Sequence, residues 1–268
     1  TLKKRMEMGF TFLKMDLGIE LLINEPGTLN APPGVVEEMK KYKYGGMTHQ
    51  KGSVSAQEMK EREYELFNKA HPFTGIHITE KGFNLLEKYL AEIRSEIGYE
   101  IPLAIDHIGH VSVEDCIKLS DRIDKYNIAW MEDPVPWPFT KQYQKLSSVS
   151  KVPICTGEDI YLKENFKPLL EKRALSVIHP DILTCGGMLE NKKIANMAKD
   201  HGVAMAIHMA ESPIGCMAAV HCSAAAPDNF LACEYHSADV SWWDDIIEGP
   251  SKPIVEDGYI EVSDKPGL

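Results

Sequence analysis

From residue 84 onward one rhythm repeats: a short continuous apolar run, an amphipathic stretch of helical period, then another apolar run. "IPLAID" (101–106) precedes "SVEDCIKLSDRIDKY", and "IAWMED" (128–133) precedes "FTKQYQKLSSV". "VPICTGED" (152–159) precedes "KENFKPLLEKR", "LSVIHPD" (175–181) precedes "MLENKKIANMAKDHG", and "VAMAIHMA" (203–210) precedes "PIGCMAAVHCSAAA". "FLACEYH" (230–236) comes last; upstream, "LKKRMEMG" reads as a helix and "FTFLKMD" (10–16) as the strand after it. Continuous apolar strands alternating with helices predict a parallel sheet covered by helices. The pattern gives seven strands, whereas the commonest closed form, the TIM-like barrel, has eight. The sequence opens on a helical pattern without an initiator Met. It therefore reads as the interior of a longer protein, with the first barrel strand expected upstream of Thr1.

One interval, about residues 18–78, breaks the rhythm; it is rich in Gly, Pro, Lys and Glu. Loops this long in compact domains are usually functional or disordered. Because it follows a strand, a parallel barrel places it on the carboxyl-end face, where active sites are built. An active-site lid is expected, with "YGGM" (44–47) as hinge candidate and "SAQEMKEREYELFNK" as a helix within it. The duller alternative is a solvated decoration.

Composition narrows the partners. The chain has 268 residues and a formal net charge of −11. A chain of this length buries roughly 75% of its unfolded surface and needs no staples. The acidic balance argues against nucleic acid and anionic membranes, which demand a basic face, but not against a small anionic substrate held by a local cation. No apolar run approaches the ~20 residues of a membrane span. Six cysteines without a CxxC pair read as free thiols filling a core in a reducing cytoplasm.

The polar residues ending the strands carry the chemistry: Lys14 and Asp16, then Asp106, Glu132, Glu158, Asp181, His208 and Glu234. From Asp106 onward they recur 23–27 residues apart, one strand-plus-helix unit each time. A regular barrel sets such residues side by side on one rim. Asp106, Glu132 and Glu158 would then repel one another, and protons or a cation must relieve that. Oxygen-only ligands on rigid elements suit Mg²⁺. Asp133, facing the opposite side from its neighbour, is expected to point away or cap the loop. Asp181 and His208 come from adjacent strands, and a carboxylate beside an imidazole orients it and stabilises its protonated form. His107 and His110 flank Asp106 and are candidates for proton donation or substrate binding, loop histidines being the alternative. The pair Gly186–Gly187 is read either as an anion-binding helix start or as a tight turn.

Taken jointly, Asp106, "WMEDP", "TGED", "HPD…GG", "IHM" and "CEYH" resemble the barrel domain of the enolase superfamily, mandelate racemase subgroup. The resemblance covers roughly residues 1–16 and 84–268. It implies a (β/α)7β barrel spanning 1–268 with the lid inserted, and a separate N-terminal capping domain in the full-length protein, expected to be a homo-oligomer. It also implies Mg²⁺ on Asp106, Glu132 and Glu158, abstraction of the proton α to a carboxylate through an enediolate, His208 with Asp181 as base, and Glu234 hydrogen-bonded to a substrate carboxylate oxygen. Lys14 matches the first Lys of the family's Lys-x-Lys motif. The second Lys, the usual opposing base, is Asp16 here. Members with only the His–Asp dyad resemble sugar-acid dehydratases. In several of those the acid is a His two residues after the first ligand, a position that is Ile108 in this chain. Dehydration of a sugar acid to a 2-keto-3-deoxy acid is the leading expectation. A racemase or epimerase using Asp16 and His208, and a barrel that only binds ligand, are the alternatives.

Overall fold

In the computed structural model, which describes residues 2–40, 75–106, 108, 111–210, 212–236, 240–250 and 252–267, the apolar runs of the sequence become strands. Helix α1 (Leu2–Glu7) and strand β1 (Leu13–Asp16) come first. Strand β2 (Leu29–Asn30), helix α2 (Val35–Met39) and strand β3 (His77–Ile78) lie in the two described ends of the long interval. The alternation then runs α3 (Glu80–Ile97), β4 (Leu103–Asp106), α4 (Val113–Ile123), β5 (Ile128–Glu132), α5 (Thr140–Val149) and β6 (Ile154–Thr156). It continues with α6 (Leu162–Glu171), β7 (Val177–Ile178), α7 (Met188–Asp200), β8 (Ala204–Ile207), α8 (Pro213–Ala225) and β9 (Phe230–Cys233). Seven of these strands form one sheet in the order β1-β4-β5-β6-β7-β8-β9, and every neighbouring pair is parallel. This is the expected α/β architecture. β1 and β9 are the two ends of the strand order, and residues of both line one cavity of about 500 Å³.

Local chemistry starts the helices where the sequence changes period. Thr79, Ser112 and Ser212 each accept a hydrogen bond from the backbone three residues on, capping α3, α4 and α8. Gly187 precedes α7 at φ +88°, closing a tight turn in which its N–H donates to the Ile182 carbonyl. The helices bury Phe83, Leu86, Leu119, Phe166, Leu169 and Ile194 against the sheet in one large apolar core. All six cysteines are free. Among the described residues no helix is long and apolar enough to cross a membrane.

A second, smaller cluster fills the concave side of the sheet: Ala104, Trp130, Cys155, Val177 and Ala206, with Phe12 packed on it. Strand residues two apart share a face. The polar side chain two residues beyond each inner apolar one therefore emerges on the same side at the carboxyl end. The pairs are Phe12–Lys14, Ala104–Asp106, Trp130–Glu132, Val177–His179, Ala206–His208 and Ala232–Glu234. The inner layer is the floor on which the site is built.

The ends of the long interval are clipped together. β2 pairs with β3 antiparallel, Leu29 opposite Ile78 and Asn30 opposite His77, and the Thr79 N–H donates to the Thr28 carbonyl at 2.9 Å. Beyond β1, the N–H groups of Leu17 and Ile19 donate to the carbonyls of Asp106 and Ile108, so the segment leaves from the carboxyl end of the sheet. Residues 41–74, including "YGGM" and "SAQEMKEREYELFNK", lie outside the described residues, as do His107 and His110.

Candidate active site

The carboxyl ends of the seven strands bring Lys14, Asp106, Glu132, Glu158, Asp181, His208 and Glu234 into one group. Asp106, Glu132 and Glu158 each direct a carboxylate oxygen to a common point, all within 4.8 Å of one another. Asp16 stands opposite Asp106 in the β1–β4 register. It is an exposed residue and lines the same cavity as Lys14, Glu158, His208 and Glu234.

Two side chains of this chain relieve the carboxylate repulsion. The Lys14 ammonium lies 3.0 Å from Asp106 Oδ2, 3.0 Å from Glu132 Oε1 and 3.1 Å from Glu234 Oε1. Burial opposes its charge, but the charges of Glu132, Asp106 and Glu234 win and hold its pKa well above the ordinary lysine value. His208 supplies the second cation: its Nδ1 is 2.7 Å from Asp181 Oδ2 and its Nε2 is 2.9 Å from Glu158 Oε2. Burial works against the imidazolium. The hydrogen bonds to Asp181 and Glu158, with the charge of Glu234, outweigh it and raise its pKa to about 11. Glu158 is correspondingly lowered against its own burial, chiefly by the hydrogen bond to His208.

Asp181 is fixed from both sides. Its Oδ1 accepts the N–H groups of Leu183 at 2.7 Å and Thr184 at 3.2 Å, leaving Oδ2 to His208. The first turn of the loop after β7 thus sets the carboxylate that sets the imidazole. An ionised carboxylate only accepts, so the Nδ1 of His208 is the donor and its Nε2 faces the cavity side.

Glu132 is fully buried, and burial would raise its pKa. The partners His179, Lys14 and Trp130 overcome this and keep it ionised, well below the carboxylate range. His179 Nδ1 lies 2.7 Å from Glu132 Oε1, and Trp130 donates Nε1–H to Oε2 at 2.8 Å. His179 is the functional neighbour that strand-end reading misses, because the last polar residue of "LSVIHPD" is Asp181 and His179 stands inside the run. It precedes Asp181 by two, and same-face spacing is the signal that would have found it.

Glu158 breaks the two-residue rule, standing three residues beyond Cys155. The intervening Gly157 explains how. A Cβ there would meet the His179 backbone carbonyl carbon at 2.6 Å, so only glycine lets the loop after β6 pass this close to the end of β7. Asp133 stays outside the cavity lining. Its backbone is at φ +40°; its burial and the nearby charges raise its pKa well above the usual value despite a hydrogen bond with Thr156. Ile108 is fully buried and offers no proton.

Could these residues hold a metal? The convergence of three oxygen donors, two of them buried, matches what a hard divalent cation such as Mg²⁺ takes. A second trio, Glu132, Cys155 and His179, is equally close-set but does not fit. The His179 Nδ1 to Glu132 Oε1 separation of 2.7 Å is a direct hydrogen bond with no space for an ion. Burial, reinforced by Glu132 and Asp133, also pushes the Cys155 thiol well up and keeps it protonated.

Comparison with known proteins gives this arrangement a context. A family model described as "Enolase C-terminal domain-like" matches residues 54–268. The chain is similar to D-xylonate dehydratase of Haloferax volcanii, 41% identical over 152 residues, 56% of this chain and 36% of that protein. It is similar to D-galactonate dehydratase of Ralstonia pickettii, 28% identical over 88% of this chain and 59% of that protein. Among solved structures, the mandelate racemase/muconate lactonizing enzyme-like protein of Rubrobacter xylanophilus superposes with a TM-score of 0.74 at 25% identity, covering 98% of this chain and 55% of that one. The chain thus spans between about a third and three fifths of the length of these proteins. It belongs to the enolase superfamily, in the family of enolase C-terminal domain-like proteins.

Proposed function

We propose that this enolase-superfamily barrel carries the catalytic groups of a Mg²⁺-dependent sugar-acid dehydratase. The observation that carries the reading is the His208–Asp181 dyad, at 2.7 Å, with His208 lining the same cavity as Asp106 and Glu158, two of the three converging carboxylates. The relatives named as dehydratases of xylonate and galactonate supply the substrate class.

Asp106, Glu132 and Glu158 would hold the ion. A Mg²⁺ bound there would neutralise the charge that gathers on the substrate's carboxylate oxygens as the α proton leaves. Lys14 and Glu234, 3.1 Å apart, flank that carboxylate: the ammonium offsets its charge, and Glu234, when it carries a proton, donates it in a hydrogen bond to one oxygen. His208 Nε2 takes the α proton, and Asp181 stabilises the resulting imidazolium. The Cα–H electron pair becomes the new C=C bond and the β C–O bond breaks. His208 then returns its proton to the departing hydroxyl, giving water and an enol that tautomerises to the 2-keto-3-deoxy acid. The insertion between β1 and α3 is the lid, since its paired ends leave from the carboxyl end of the sheet.

A second reading follows from Asp16, which lines the same cavity as His208 from the opposite strand. Two bases on opposite faces of a carbon perform racemisation or epimerisation without loss of water. Incubating the intact protein with Mg²⁺ and a panel of sugar acids in D₂O separates these. Keto-acid formation supports the dehydratase, whereas deuterium incorporation with every hydroxyl retained supports the epimerase. Neither outcome across the panel leaves a barrel that only binds.

A further inference from the structure

We propose that His179 is a positioning residue that fixes the carboxylate of Glu132 for the cation; the inference rests on the reading of Asp106, Glu132 and Glu158 as a cation site. His179 is 2% exposed and Glu132 is fully buried, so the 2.7 Å contact between Nδ1 and Oε1 is made without competing water. An ionised carboxylate only accepts, so Nδ1 carries the proton. Trp130 donates to the other oxygen at 2.8 Å. Both oxygens of Glu132 therefore hold a protein donor, and the carboxylate plane is set by two rigid rings rather than by the flexible glutamate stem. Oε1 also accepts from Lys14 at 3.0 Å, so the capacity left for a cation lies mainly on Oε2, which has Trp130 as its donor.

The imidazole is itself held. Its ring stands edge-on to Trp130 at 6.0 Å and to His208 at 5.5 Å between centroids, and its Nε2 is 3.9 Å from Glu234 Oε2. The main chain carries it on the same strand end as Asp181, two residues away, so the segment His179–Pro180–Asp181 supports two functions from one face. His179 fixes a carboxylate for the cation, and Asp181 fixes the base. A polar group behind a ligand sets its orientation, and loss of such a group typically costs about 10–100-fold in metal affinity.

The test is Mn²⁺ binding to the intact protein, read by electron paramagnetic resonance of the free ion, with thermal unfolding as the check on folding. His179→Ala should weaken Mn²⁺ by about 10–100-fold. His179→Asn, which keeps a donor near the Nδ1 position, should recover most of that loss. Arg94→Met, at a buried residue of α3 whose acceptors precede β4 and β5, should leave Mn²⁺ affinity unchanged; this separates a local effect on Glu132 from a general loss of stability. If His179→Ala does not fold, Trp130→Phe carries the same expectation by removing the opposite donor while keeping a ring. Wild-type affinity in His179→Ala, or an asparagine variant as weak as the alanine one, overturns the proposal and leaves the cation site standing. Absence of Mn²⁺ binding to the wild type at millimolar concentration overturns both.

Discussion

Nε2 of His208 lies 2.9 Å from Oε2 of Glu158: the nitrogen proposed to take a proton is hydrogen-bonded to a carboxylate proposed to hold a cation. The two roles compete. With Glu158 and Asp181 both on its ring, His208 is raised to about 11, and an imidazolium is no base. The pairing also stabilises the fold. A folded-state pKa above the ordinary 6.5 contributes stability that is complete below that pH and fades as pH rises through about 11.

The first prediction follows from that competition. When Glu158 turns to a divalent cation, His208 loses a hydrogen-bond partner and gains a repelling charge, and both lower its pKa. Mg²⁺ binding at pH 8–9 should therefore release protons, in line with the general coupling of metal binding to deprotonation. Calorimetric titrations in buffers of different ionisation enthalpy measure the number. His208→Asn should abolish most of it, and release unchanged in that variant would place the proton elsewhere.

Lys14 makes the second prediction. Its ammonium relieves Asp106, Glu132 and Glu234 at 3.0–3.1 Å. Lys14→Met removes one partner from a largely buried ion cluster, which costs about 3 kcal/mol where the remaining charges stay uncompensated. The loss should be largest in chelator and smaller in millimolar Mg²⁺, so the rise in melting temperature on adding Mg²⁺ should be greater for the variant than for wild type. An equal rise in both would show that Lys14 and the cation relieve different charges.

A third prediction concerns Gly157. Gly157→Ala sets a methyl group 2.6 Å from the His179 backbone, so either the loop after β6 or the end of β7 must retreat. Glu158 and His179 sit on those two segments. The variant should lose about 1–3 kcal/mol, as overpacking does, and at least tenfold in divalent-cation affinity, measured by Mn²⁺ titration. Loss of stability with unchanged affinity would mean that the strain is absorbed away from the site.

These cases show what a sequence can disclose here. Repeating strand-plus-helix units set a period, and a period places residues on a rim whatever the side chains are; the seven strands and their order followed from it. Detail that depends on a neighbour's backbone did not. Gly157 is legible only once the path of His179 is known, and His179 was hidden behind Asp181 on the same short run. The reach of Lys14 to three carboxylates depends on rotamers that no spacing encodes. Arg94 reads as one more basic residue on an amphipathic helix. It is instead buried, donating to the carbonyls of Gly98, Ile101, Tyr126 and Asn127.

Arg94 carries a fourth prediction, on stability alone. Its four acceptors belong to the segments before β4 and β5, at the end of those strands opposite Asp106 and Glu132. Arg94→Met keeps much of the stem's packing but leaves four carbonyls without their donor. A loss of about 2–4 kcal/mol is expected, read as a lower midpoint in denaturant, with divalent-cation affinity unchanged below the transition. A fall in cation affinity of tenfold or more would show that the two ends of the strands are coupled.

The last prediction concerns the base. The α proton of a carboxylate is weakly acidic, so removing it requires charge relief on the carboxylate and a base in the same cavity. Lys14 and the three converging carboxylates furnish the means for the first. His208, held at 2.7 Å by Asp181, furnishes the second. His208→Asn keeps much of the shape but has no basic nitrogen near neutral pH. General-base catalysis is typically worth about 10²–10⁴-fold. The variant should therefore bind substrate nearly normally while losing at least about that factor in both turnover and α-proton exchange. Asp16→Asn separates the two readings: in a dehydratase it is mild, because one base suffices, and in an epimerase it is as severe as His208→Asn. Exchange of the α proton with solvent deuterium, followed by NMR, measures the base step apart from loss of water. Wild-type exchange in His208→Asn together with abolished exchange in Asp16→Asn would put the base on the β1 side of the cavity.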